Sequence, residues 1–165
     1  MPTDKATVEA ALLTAAKEHD VYHVRETGNN RGPRVEMYLE SVGLSGGNPW
    51  CAAFVNWNLK QAGYPTGPKV GAGAVRNWIK WADDHGRLYR GGQWARRGML
   101  FCWLNSNQTG HIGFIAEVKK GVAGTWWIRT IEGNSDENGS REGVAVVRKW
   151  RLVTAKYRFI DLVNA

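Results

Sequence analysis

Cys51 and His111 are of the types needed for nucleophilic catalysis, and Cys51 is one of only two cysteines among the 165 residues of the chain. It lies in the segment GGNPWCAAFVNW, just inside the predicted start of a helix. Asn48 suits the N-cap and Pro49 the first helical position, which puts Cys51 at the third. Unpaired N–H groups and the helix dipole favour a thiolate there, and the thiolate is the nucleophile. Most lone cysteines are small buried hydrophobes, but this helix entry favours a reactive thiol.

His111 is the candidate base, because it opens a predicted strand and faces away from the apolar side of that strand. If this strand and the next form a hairpin with Val118 opposite Thr125, His111 lies across from Glu132. Asn134 then points to the same face, because it is two residues further along. A carboxylate or an amide beside a histidine fixes the tautomer and the orientation of the ring. A slip of one residue in the turn would put Glu132 on the other face.

Helices are predicted for the first half of the chain. Each shows an apolar stripe between a capping residue or proline and a glycine stop. The predicted helices start near Thr3 or Asp4, at Pro33 and at about Pro49, and a short fourth helix carries Trp78 and Trp81.

Strands are predicted for the second half, at residues 99–104, 111–118, 125–134, 144–150 and 156–163. In the strand that His111 opens, one face carries Ile112, Phe114, Ala116 and Val118. Helices followed by antiparallel strands indicate an α+β domain. No composition break divides the chain, so residues 1–165 are predicted to form a single domain.

The segments GNPWCAAFVNWNLKQAG, TGHIGFIAEV and IEGN together resemble the cysteine, histidine-dependent amidohydrolase/peptidase family, abbreviated CHAP. The resemblance implies a papain-like fold, with N-terminal helices packed on a C-terminal antiparallel β-sheet. It also implies cleavage of an amide bond in peptidoglycan, with Cys51 as nucleophile, His111 as base and Glu132 or Asn134 as the third catalytic member. No cofactor or metal is implied, because the acidic calcium loop that some members carry ahead of the cysteine is missing.

The composition agrees with a soluble enzyme that meets an anionic polymer. Apolar residues make up 43% and charged residues 22% of the chain, and the formal charge is +7, which draws the protein toward anionic partners. Nine tryptophans are more than one small core needs, and some are expected to line a groove. The predicted substrate contacts are Trp50, Asn48 and Trp103.

Other potential sites are discounted. Cys102 lies in an apolar strand and is interpreted as core. His19 and His23 have metal-ligand spacing but no evident third ligand. The loop 136–139 lacks the alternating ligands of an EF-hand, and no phosphate-binding glycine loop follows a strand.

The favoured hypothesis is a peptidoglycan hydrolase, an N-acetylmuramoyl-L-alanine amidase or an endopeptidase, acting as a phage lysin or a secreted antibacterial effector. Its expected partner is peptidoglycan and not nucleic acid, with an immunity or inhibitor protein as a further candidate, and a monomer is expected. The first twenty residues lack a signal peptide, and no segment is apolar enough to span a membrane. We therefore expect synthesis in the cytoplasm and action on the bacterial wall or in the periplasm after release or delivery. A protein-directed cysteine protease or acyl transferase, and a non-catalytic wall-glycan-binding module, remain alternatives.

Overall fold

Four helices precede six strands in the computed structural model, which describes residues 3–135 and 143–163. The helices are α1 (Asp4–Asp20), α2 (Pro33–Glu40), α3 (Cys51–Gln61) and α4 (Val75–Asp84). The strands are β1 (Leu88–Arg90), β2 (Leu100–Leu104), β3 (Gly110–Lys120), β4 (Trp126–Ser135), β5 (Ala145–Leu152) and β6 (Arg158–Ile160). The α+β class is therefore confirmed, with N-terminal helices and C-terminal strands. The short strand β1 was not predicted.

The first two helices are joined through a buried carboxylate. Thr3 caps α1 as predicted, with its hydroxyl oxygen accepting a hydrogen bond from the N–H of Ala6 at 3.2 Å. Glu18 near the end of α1 is 1% exposed and accepts two hydrogen bonds from the Arg34 guanidinium, each 2.8 Å long. The Tyr38 hydroxyl donates a third to the same carboxylate. A buried carboxylate needs such partners, so this contact fixes α1 against α2.

All six strands form one antiparallel sheet in the order β1-β6-β2-β3-β4-β5, and both of its faces carry apolar clusters. The helices cover one face, where Phe114 and Ile131 of the sheet pack against the apolar side of α3. The second face holds a smaller cluster, which we call the outer cluster. Its buried members are Ala95, Met99, Phe101, Trp103, Ile115, Ile128, Tyr157 and Phe159. None of the helices in the described residues is long and apolar enough to cross a membrane.

A β-bulge in β3 changes the predicted pairing of the central hairpin. The pairs Phe114↔Ile131 and Ile115↔Thr130 are followed by Glu117↔Arg129, which leaves Ala116 as the extra residue. The predicted register, with Val118 opposite Thr125, is therefore wrong, because Val118 pairs with Ile128. Since the bulge reverses the alternation, Val118 packs against the outer cluster and not beside Phe114.

Candidate active site

The nucleophile candidate lies at the first position of α3. The helix begins at Cys51 with Trp50 as its N-cap, and its first backbone hydrogen bond runs from the N–H of Phe54 to the carbonyl of Trp50 at 2.9 Å. The predicted N-cap is wrong: the Asn48 amide instead donates to the carbonyl of Ser45 at 2.8 Å, in the turn before the helix. The N–H groups ahead of Phe54 have no carbonyl one turn back within the helix, so the sulfur still lies near unpaired donors.

Trp50 anchors the start of this helix. Its side chain is 0% exposed, its indole N–H donates to the Glu26 carboxylate at 2.8 Å, and its ring stacks on Tyr38 with the centroids 5.8 Å apart. A side chain so enclosed cannot contact a substrate, so Trp50 acts through the backbone position of Cys51. Sequence reasoning missed this function and the contribution of Glu26.

A glycine in β4 lets the helix approach the sheet. A methyl group at Gly133 would lie 2.7 Å from the Cβ of Phe54 and 2.8 Å from the Trp50 ring, closer than such atoms pack. Only a residue without a side chain therefore fits between α3 and the strand that carries Glu132. This close packing places the start of α3 beside the end of the strand.

His111 is oriented by Glu132. Nε2 of the ring lies 2.8 Å from Oε1 of the carboxylate, and both side chains are 0% exposed. Since Phe114 pairs with Ile131, Glu132 is level with Gly113, and its carboxylate reaches His111 diagonally across the hairpin. The predicted contact is present although the register that motivated it was wrong.

Two further side chains bind the same carboxylate, and neither was predicted from the sequence. Arg151 of β5 forms a fork, with Nε 2.8 Å from Oε2 and Nη2 2.5 Å from Oε1 of Glu132. The hydroxyl of Thr130 donates to Oε2 at 2.5 Å. Burial alone would raise the pKa of Glu132, but the hydrogen bonds and charges of Arg151 and His111 outweigh burial and hold that pKa far below its usual range. Glu132 is therefore ionised and can only accept hydrogen bonds.

Aromatic rings enclose the imidazole and the guanidinium together. The Trp103 and Phe101 rings lie 5.1 and 5.9 Å from the His111 ring, and 5.3 and 5.5 Å from the Arg151 guanidinium carbon. Trp103 is only 6% exposed, so its ring is nearly enclosed. Arg151 is a charged residue that faces inward in β5, the strand next to the one that carries Glu132. This pattern is the sequence signal that could have identified it.

The imidazole of His111 also interacts with Cys51. Burial lowers the pKa of His111, but the attraction of the ring to Cys51 and Glu132 outweighs this effect and raises the pKa to about 9. Nδ1, the ring nitrogen that does not face Glu132, is buried and makes no hydrogen bond of ordinary geometry in the described part of the chain. Catalytic hydrogen bonds are often loose before substrate binds. Cys51 is 3% exposed, so its sulfur is nearly enclosed.

Asn134 lies in the same strand as Glu132 but does not contact His111 through a hydrogen bond. It is 0% exposed with a positive φ of 54°, and both polar atoms of its amide lack partners among the described residues. Strain and unsatisfied buried groups are common where a ligand binds. The carboxylate of Glu132 therefore orients His111, and the catalytic function of Asn134 stays a prediction.

The structure agrees with the interpretation of Cys102 as a core residue and gives no support for a metal site among the described residues. Cys102 is 0% exposed, and burial raises the pKa of its thiol to about 12. Among residues 3–135 and 143–163 there is no group of three His, Cys, Asp or Glu side chains that could hold a metal ion. The acidic loop at 136–139 lies outside the described residues.

Comparison with known proteins identifies the family. The model of the CHAP domain matches residues 43–134, more than half of the chain, and this range contains the Cys51, His111 and Glu132 side chains described above. The searches of curated proteins and of solved structures gave no match. CHAP domains are cysteine- and histidine-dependent amidohydrolases or peptidases that generally act on peptidoglycan. The match and the geometry agree, and this chain belongs to the CHAP family.

Proposed function

We propose that this protein is a peptidoglycan hydrolase that cleaves an amide bond by a thiol mechanism, with Cys51 as nucleophile, His111 as general base and acid, and Glu132 as the orienting carboxylate. One observation carries the proposal. The buried His111 ring is held by an ionised carboxylate through Nε2, Nδ1 has no hydrogen-bond partner among the described residues, and the attraction to Cys51 contributes to the raised pKa of the ring.

The proton positions follow from the hydrogen bonds. Because ionised Glu132 can only accept, Nε2 of His111 carries a hydrogen and donates it to Oε1. In the neutral ring Nδ1 is then the acceptor, so it takes the proton of the Cys51 thiol. The raised pKa of His111 favours the resulting imidazolium, and the start of α3 favours the thiolate.

The chemical steps use this ion pair. The sulfur attacks the amide carbonyl, and N–H groups at the start of α3, including that of Cys51, stabilise the oxyanion. Nδ1 of His111 returns its proton to the leaving amine, which leaves a thioester on Cys51. Water then loses a proton to His111 as it attacks the thioester, and the carboxylate product and the free thiol result.

The cleaved bond lies either between the glycan lactyl group and the first alanine or within the peptide, which makes the enzyme an amidase or an endopeptidase. We place its action at the bacterial wall, as a phage lysin or a delivered antibacterial effector, and as a monomer that an immunity protein could inhibit. The net charge of +7 supports attraction to an anionic wall.

The test is digestion of purified sacculi, with mass spectrometry of the soluble fragments. The wild-type protein should release fragments, Cys51→Ala should release none, and the matched control Cys102→Ala should retain activity. Fragments with a new amine at the first alanine indicate an amidase, and cleavage within the peptide indicates an endopeptidase. Equal activity of Cys51→Ala would disprove the thiol mechanism. Turnover of proteins without turnover of sacculi would favour the protease alternative.

A further inference from the structure

A groove beside α4 has no function in the mechanism above. It has a volume of about 580 Å3 and lies between α4 and the ends of β1, β6 and β2. Its apolar lining consists of Ile79, Leu88 and Leu104, of which Leu104 is 37% exposed. An apolar surface of this kind suits aliphatic groups of a ligand.

The charged side chains of the groove are mostly cationic. Arg90, Lys156 and Arg158 line it, and Asp83 is the one carboxylate among its lining residues. Nη1 of Arg158 lies 3.1 Å from each of the carbonyl oxygens of residues 155–157, which share its two hydrogens and fix this guanidinium. A fixed guanidinium between two other cations is suited to a carboxylate, because its remaining N–H groups can form a planar pair of hydrogen bonds. We call this feature the cationic groove.

The cationic groove lies next to the candidate active site. Leu104 pairs with Gly110, the residue before His111. The Lys156 ammonium lies 4.0 Å from the centre of the Trp103 ring, which is itself 5.1 Å from the His111 ring. A single side chain therefore separates the groove from the catalytic imidazole, so one extended ligand could occupy both.

We propose that the cationic groove binds a carboxylate-bearing part of the substrate peptide and thereby makes the enzyme prefer wall peptides with free carboxylates to amidated ones. This inference rests on the proposed function, because the wall peptide supplies both alanine methyl groups for the apolar lining and carboxylates for the cations. The exposed side chains of Arg90 and Lys156 engage the carboxylate together with the fixed guanidinium of Arg158.

The experiment compares soluble muropeptides in two forms, with free carboxylates and after carbodiimide amidation with ammonium chloride. Binding is measured by calorimetry in the Cys51→Ala background, and kcat and KM are measured with the active enzyme. The test variant is the double substitution Arg90→Met and Lys156→Met. The control is Lys119→Met with Arg129→Met, which removes the same charge at the other end of the sheet.

We expect the test variant to weaken binding and raise KM about tenfold for the free-carboxylate form, with kcat little changed. The amidated form should bind wild type and test variant equally weakly, and the control should match wild type. Equal effects on both forms, or no effect on either, would overturn the groove assignment. If sacculi are cleaved but the groove variant discriminates as wild type does, only this inference fails. If sacculi are not cleaved, the proposed function fails, and absence of carboxylate-dependent binding then rejects the groove independently.

Discussion

Arg151 should set the pH at which Cys51 becomes reactive. Its Nη2 and the Nε2 of His111 lie 2.5 and 2.8 Å from the same oxygen of Glu132. The two cationic groups are therefore no more than about 5 Å apart, where repulsion amounts to about 3 kcal/mol at an effective dielectric constant near 20. Replacing Arg151 by Met removes this repulsion, so the site as a whole holds its protons to higher pH.

The other charged and titratable groups near this site leave the sign of that effect unchanged. Lys156 lies beyond Trp103, and burial and the charge of Arg151 lower its pKa. Burial raises the pKa of Tyr157, which keeps this phenol neutral. In the Arg151→Met variant, the buried site still contains the anions of Cys51 and Glu132. Of the two cations of the wild-type site, it keeps only His111. The alkylation of Cys51 should therefore need a higher pH in Arg151→Met than in wild type.

The assay is the rate of iodoacetamide alkylation of Cys51 as a function of pH, which needs no substrate. Loss of one partner of a buried ion pair costs about 3–5 kcal/mol, so circular dichroism must show that Arg151→Met is folded. Arg151→Lys keeps the charge but loses the fork, and its midpoint should stay near that of wild type while turnover of sacculi falls. Arg129→Met is the control, because this exposed residue of β4 removes the same charge away from Glu132. Coincident profiles for wild type, Arg151→Met and Arg151→Lys would refute the reasoning.

Three further predictions concern the same site. The pKa of His111 in the folded protein is about 9, above its ordinary value of 6.5, so protonation of this ring stabilises the fold by about 3 kcal/mol. This stabilisation should be complete below pH 6.5 and should be lost as the pH rises through 9. Urea unfolding at pH 6 and at pH 9.5 measures it, and an unchanged free energy of unfolding would contradict it. Gly113→Ala should lower the free energy of unfolding by about 1–3 kcal/mol and reduce turnover, because the new methyl group would lie 2.9 Å from the Cβ of Glu132. Thermal unfolding and digestion of sacculi check this prediction, and a Tm equal to that of wild type would contradict it. Iodoacetamide at pH 7 should modify Cys51 and spare Cys102, whose buried thiol has a pKa of about 12, and peptide mapping that finds Cys102 modified first would disprove this.

The sequence predicted which side chains meet at the candidate site better than it predicted how they are held. Residue types and strand alternation were enough for His111 and Glu132, because the pairing near the site differs from the predicted one by two residues and so keeps the same face. Arg151 left a signal as an inward-facing charge, but its contact with Glu132 was not predicted, since it depends on the register between β4 and β5. The N-cap at Asn48 was wrong because α3 begins at Cys51 with Trp50 as its N-cap, and the Asn48 amide lies in the preceding turn.

The tryptophans show why composition alone misleads. Their number suggested a substrate groove, but Trp50 is an internal anchor and Trp103 a wall beside the catalytic ring. Whether an indole faces a ligand or the core depends on neighbours from distant parts of the chain, such as Glu26 beside Trp50. No local pattern contains this information.

The bulge at Ala116 also has a practical meaning for engineering. Pairing on the catalytic side of the bulge is set by Phe114 and Ile131, and the far side has its own register down to the hairpin tip, where Val122 is 86% exposed. A reporter domain or an affinity tag spliced into this tip would shift only the far register. The tip is therefore the place to attach a reporter domain or a tag to this enzyme without disturbing the candidate active site.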